Sequence, residues 1–179
     1  MNLEAKAPIA STAAHHCRRL VLVTLALVAV VNFLDRQVLG ILLPQIRAEF
    51  HLSDTALGLL SGLAFALVYG VLGVPFGVLA DSRNRQKIIA ASLAVFSLAT
   101  LGCGLAGNFA QLIAARFFTG VGEAGASPAV NSMISDIYPP DRRAGALSIY
   151  SAGANIGLIL AFFGGGWIAQ HEGWRAAFL

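Results

Sequence analysis

LVLVTLALVAVVNFLDRQVLGILL, residues Leu20–Leu43, decides the fold: it is an apolar run long enough to cross a bilayer, broken only by a few polar groups. A helix needs ~20 predominantly apolar residues for that crossing, whereas a barrel strand needs about half as many and alternates in polarity. Nothing alternates here. The rest of the chain repeats the pattern, with candidate spans at 55–80, 88–106, 109–137 and 144–170, and a sixth opening at Trp174 and cut off at Leu179. With 57% hydrophobic residues, 12% charged residues and a mean hydropathy of +0.74, the composition lies outside that of soluble domains. The expected fold is an all-α membrane protein: a tail over residues 1–19, then a partial transmembrane bundle over residues 20–179 with five complete helices and the start of a sixth.

The net charge of +3 does not point to nucleic acid, because the charges cluster between spans. Lys6, Arg18 and Arg19 precede the first span; Arg83, Arg85 and Lys87 separate the second and third; Arg142 and Arg143 separate the fourth and fifth. The alternate loops carry Arg47 and little else, with Arg36 and Arg175 at span ends. The positive-inside rule then makes the N-terminus cytoplasmic. The expected location is the plasma membrane, or the inner membrane of a Gram-negative cell. Cys17 falls in the tail and Cys103 within the third span, so no disulfide is expected, and HHC at His15–Cys17 lacks a fourth metal ligand. No metal or cofactor is expected. The stretch from Arg18 mimics a twin-arginine signal, but its apolar run continues past any plausible cleavage site.

Short connections make neighbouring helices antiparallel. Ser53 is placed to cap the second span, and Pro139 and Pro140 stop the fourth, with Asp141 placed to cap the fifth. Glycines recur in the second span at Gly58, Gly62, Gly73 and Gly77, beside Tyr69 and Gly70, a pattern that permits close helix approach. Gly120, Gly122 and Gly125 extend it into the fourth span, and Gly153 and Gly157 into the fifth.

RFFTGVGEAGASPA, residues Arg116–Ala129, places two charges inside an apolar span. Counting ~1.5 Å per residue from the outer ends of the first and fourth spans puts Asp35 and Arg116 at a common depth of roughly 10–14 Å. Charges in the membrane are costly and face partners or wet cavities, so these two are expected to pair. Glu123, seven residues after Arg116, lies on the same helical face two turns deeper. Thr24, Asn32 and Asp35 share a face of the first span, and with Tyr69 and Asn155 they are candidates for a substrate cavity. A carboxylate released from its arginine can take up a proton, so the ladder of Asp35, Arg116 and Glu123 could couple protons to transport. The competing reading is a fixed strut between two helices.

GVLADSRNRQK, residues Gly77–Lys87, resembles the loop signature of the major facilitator superfamily, and RFFTGVGEA resembles its fourth-span motif. Together with NFLDRQVLGILLPQI, LSDTALGLLSG and GWRAAF, the pattern is most similar to the spinster-like branch, over nearly everything from Asn32 to Leu179. The resemblance implies that Gly77, Asp81 and Arg85 form a cytoplasmic latch and that Asp35, Arg116 and Glu123 carry proton-linked charge. Ser82 and Asn84 depart from the usual basic residue and glycine.

Such transporters have about twelve spans in two bundles, with substrate between them. This chain is therefore expected to be an N-terminal piece lacking its C-terminal helix bundle, either a fragment of a longer transporter or an incomplete product. The expected function is proton-coupled transport of a small organic or amphiphilic solute, such as a lysolipid or organic anion; the alternative is a membrane-embedded half that only assembles with a partner. Its expected partners are that solute, protons and the lipid bilayer. An enzyme is not expected, because Ser127 beside Pro128 has no catalytic neighbour in the sequence.

Overall fold

A computed structural model describes the backbone of residues 7–179 and the side chains of residues 17–179, except those of Leu63, Ala64 and Asp81. The Asp81 carboxylate and the His15 and His16 rings thus lie outside the described residues. Among those residues the chain is helical without a strand: α1 Ala7–Phe50, α2 Asp54–Gly58, a π-turn Leu59–Leu63, α3 Ala64–Ser82, α4 Arg85–Gly104, α5 Phe109–Ile137 and α6 Pro140–Leu160. A second π-turn Ala161–Gly165, α7 Gly166–His171 and a 3₁₀ turn Trp174–Phe178 complete it.

Among the described residues, four helical stretches are long and apolar enough to cross a membrane: Cys17–Phe50, Asp54–Ala80, Arg85–Gly104 and Pro140–His171. The 29 residues of α5 coincide with the expected fourth span but carry Arg116, Glu123 and Asp136, which lower its hydropathy. The helix boundaries obey local chemistry. The Ser53 hydroxyl accepts from the Ala56 N–H as expected, Asn84 caps α4 through Lys87 N–H, and Asn108 caps α5 through Gln111 N–H. Asp141 does not cap α6: Pro139 occupies the cap position and makes no side-chain bond there, while Pro140 opens the helix where its missing N–H costs nothing. α1 does not stop at the expected span end, Leu43: Pro44 lies inside the helix, which runs on to Phe50 before turning at His51, whose φ is 51°.

α5 packs against both α3 and α4, and α1 packs against α6. The close approaches fall on the later glycines, which corrects the expectation for the second span. A Cβ on Gly58, Gly62, Gly73 or Gly77 would meet nothing within 4 Å. One on Gly122 would come 2.7 Å from the Ser92 carbonyl, and one on Gly153 would come 2.5 Å from the Ala26 carbonyl. Gly157 lies against the Val30 carbonyl and the Leu34 N–H. Association inside lipid depends on such backbone contact, because lipid tails are as apolar as leucine. Gly157→Leu should therefore pry α6 from α1 and cost about 1–3 kcal/mol or more. Its thermal midpoint by size-exclusion chromatography should drop, whereas Gly145→Ala, with open space around its Cβ, should not lower it.

Two apolar cores result. One joins Val38, Leu42, Ile46, Leu60, Leu112 and Phe178; the other joins Leu22, Leu25, Ile89, Val130, Ile134 and Ala146. Along α1 and α5, the buried polar residues Asn32, Asp35, Arg116, Thr119 and Glu123 occupy the stretch between them.

Candidate functional site

Asp35 and Arg116 meet where α1 passes α5, in the polar layer between the cores. The Arg116 Nη1 donates to Asp35 Oδ2 at 2.6 Å, with the two side chains 4% and 7% exposed. Thr100 of α4 donates to the other carboxylate oxygen at 3.1 Å. Asp35 is thereby satisfied on both oxygens, which is what burying a carboxylate demands. Arg116 is less complete: among the described residues, its Nε and Nη2 have no hydrogen-bond partner. The Phe178 ring covers the guanidinium instead, with its centroid 4.9 Å from Cζ.

Glu123 does not continue a ladder with Arg116. It pairs with Arg36, the residue after Asp35, so two ion pairs side by side join α1 to α5. Arg36 is thus no span-end anchor: it joins the polar layer from its half-exposed edge. Its guanidinium sits over Phe65 at 4.4 Å, with Phe33 at 5.6 Å and Tyr69 at 5.7 Å, so three aromatic rings surround the cation. The π-turn Leu59–Leu63 precedes Phe65 and Tyr69. Such turns reset the facing of the helix beyond them and recur at functional sites.

A cavity of about 90 Å³ opens between these groups, lined by Asp35, Arg36, Arg116 and Glu123 together with Ser61 and Phe65. The pairs differ in accessibility. Arg116 and Asp35 are almost fully buried, whereas Arg36 is 36% exposed while its partner Glu123 is buried.

The remaining candidates are spread more widely. Asn32 is buried one turn before Arg36, and among the described residues its Oδ1 has no partner. Tyr69 is half-buried and stacks on Phe65 at 5.8 Å. Thr24 is exposed and bonds back to the Leu20 carbonyl, and Asn155 is exposed on α6; neither lines the cavity. At the other end of α5, Arg85 pairs with Asp136, a partner with no signal in the sequence, and Gly77 is half-buried on α3. Arg36, Thr100 and Phe65 also escape sequence reasoning. Only Arg36 carries a signal, as a charge beside Asp35 in an apolar run.

Among the described residues no group of three or more His, Cys, Asp or Glu could hold a metal ion. The family profile described as Major Facilitator Superfamily matches residues 25–179. An "MFS-type efflux pump" of Mycolicibacterium smegmatis is 32% identical over 87% of this chain and 36% of its own length. "Protein spinster homolog 1" of Homo sapiens is 31% identical over 86% of this chain and 29% of its own. A crystal structure of a bacterial homologue of the human lysosomal transporter Spinster, inward-facing and occupied, superposes with a TM-score of 0.78 at 37% identity. It covers 90% of this chain, which spans 40% of the solved one.

Proposed function

The chain belongs to the major facilitator superfamily, and from that membership we propose that it supplies the N-terminal bundle of a proton-coupled secondary transporter for a small organic or amphiphilic solute. The relatives are transporters, and spinster-type proteins are among them. On this reading α5 is a fourth true span, the turn at Trp174 opens a sixth, and the N-terminus faces the cytoplasm from the plasma membrane. The second half of the cavity comes from a C-terminal bundle, either on a longer form of this chain or on an assembling partner. The chain's span of only 29–40% of these relatives favours such a complement. Gly77, Asp81 and Arg85 would belong to a cytoplasmic latch toward that complement.

The observation that carries the proposal is the pair of ion pairs across α1 and α5 lining one cavity, one almost fully buried and the other reaching solvent through Arg36. The more deeply buried Asp35–Arg116 pair holds the helices in register. The open Arg36–Glu123 pair is the exchangeable one: an anionic or amphiphilic solute takes Arg36, with its aromatic surround, and Glu123 accepts a proton when that cation leaves. Symmetric exchange and proton-driven uptake separate the two roles. In proteoliposomes of the native product, Glu123→Gln should keep solute exchange within a few-fold of wild type while uptake stops responding to an imposed pH gradient. A gradient response as steep as wild type in that variant would remove Glu123 from the coupling step.

A further inference from the structure

We propose that the pocket between the start of the first membrane span and the start of α6 binds the phosphate headgroup of an anionic phospholipid. Arg18 and Arg19 of α1 and Arg142 of α6 line one cavity of about 230 Å³, with Leu22, Tyr138 and Ile149 completing much of its wall. The arginines come from segments about 120 residues apart, and one hydrogen bond bridges those segments: the Tyr138 hydroxyl donates to the Arg18 carbonyl at 3.2 Å, while Arg143 Nε donates to the Tyr138 carbonyl at 3.0 Å within the second.

The charge around this cavity is unbalanced. Among the described residues Arg18 and Arg19 make no ion pair, and Arg142 meets only the adjacent Asp141 at 3.7 Å, on an exposed surface. Three guanidinium groups lining one small space repel one another unless an anion joins them. A phosphate fits this role best, because its oxygens accept paired N–H bonds from more than one arginine fork.

The setting selects a lipid as the source. Arg18 and Arg19 sit where α1 becomes continuously apolar, and Arg142 lies in the first turn of α6, so the pocket marks the edge of the membrane. Its wall includes an exposed apolar side chain, Ile149, which is 53% exposed. On α1, Leu20 and Val23, next in sequence to the lining residues Arg19 and Leu22, are 59% and 54% exposed and offer acyl chains further apolar surface. A free phosphate makes no use of that surface.

Native mass spectrometry of the native gene product, taken from nanodiscs of equal dioleoyl-phosphatidylglycerol and dioleoyl-phosphatidylcholine, tests this directly. Phosphatidylglycerol should stay bound through detergent washing and phosphatidylcholine should not. Arg18→Gln with Arg142→Gln should cut that retention about tenfold or more, while Arg47→Gln at the far end should leave it unchanged. Arg18→Lys with Arg142→Lys keeps the charges that orient the chain and loses the forks; it should lower retention several-fold and serves if the glutamine pair fails to insert. Equal retention of the two lipids would overturn the site, as would unchanged retention in the lysine pair. Inorganic phosphate binding at the same arginines with no lipid retained would overturn the lipid source.

Discussion

Arg116→Ala is expected to lower transport by the native product about a hundredfold or more, against less than about threefold for Arg47→Ala. The difference rests on burial. Arg116 is 4% exposed and is the ion-pair partner of an almost equally buried Asp35, so its removal strands a carboxylate that, among the described residues, keeps only Thr100 as a side-chain partner. Breaking a buried pair from one side costs about 3–5 kcal/mol. Arg47 also forms an ion pair, with Asp54 at 2.9 Å, but both side chains are more than half exposed. Pairs of that kind contribute about 0–1 kcal/mol. Initial uptake rates, normalised to the amount of each variant in the membrane, make the comparison, and equal losses in the two variants would refute the placement of Arg116 in the working site.

Asp35→Asn is expected to abolish proton-driven accumulation while the protein still inserts. The amide keeps the shape and can still accept from Thr100, so the local packing survives. The charge does not, and the Arg116 cation then sits buried beneath the Phe178 ring without a counter-ion. A cation so placed recruits another carboxylate, and Glu123 is the acidic side chain that lines the same cavity. That capture would strip Glu123 from Arg36 and freeze the exchange. Uptake should lose its dependence on pH in this variant, and a pH profile overlying that of wild type would exclude a coupling role for Asp35.

Depth is readable along the sequence, and azimuth is not. Counting residues from the ends of two apolar runs places Asp35 beside Arg116, because rise per residue is nearly constant in any helix. The same count puts Glu123 two turns deeper than Arg116 with nothing beside it, since it ignores how far an arginine reaches. Arg36 is the residue next to Asp35, yet its guanidinium extends to Glu123 and rests over rings from the second span. Those rings depend on the π-turn at Leu59–Leu63, which hydropathy does not register. Likewise, the run of glycines in the second span looks like a packing seam, whereas the backbone contacts form at Gly122, Gly153 and Gly157. Composition marks which helices can approach closely. Which ones do so depends on the loops and the buried charges.

The position of the polar layer between two apolar cores has an electrical consequence. On the proposed transporter reading, the apolar cores on either side place this layer inside the transmembrane field, where a full crossing by one elementary charge exchanges ~2.3 kcal/mol per 100 mV. A charge gained or lost at Asp35 or Glu123 would then move through a fraction of that field. On a solid-supported membrane, a rapid step in pH should register it as a brief capacitive current, visible before a single molecule of solute has been counted.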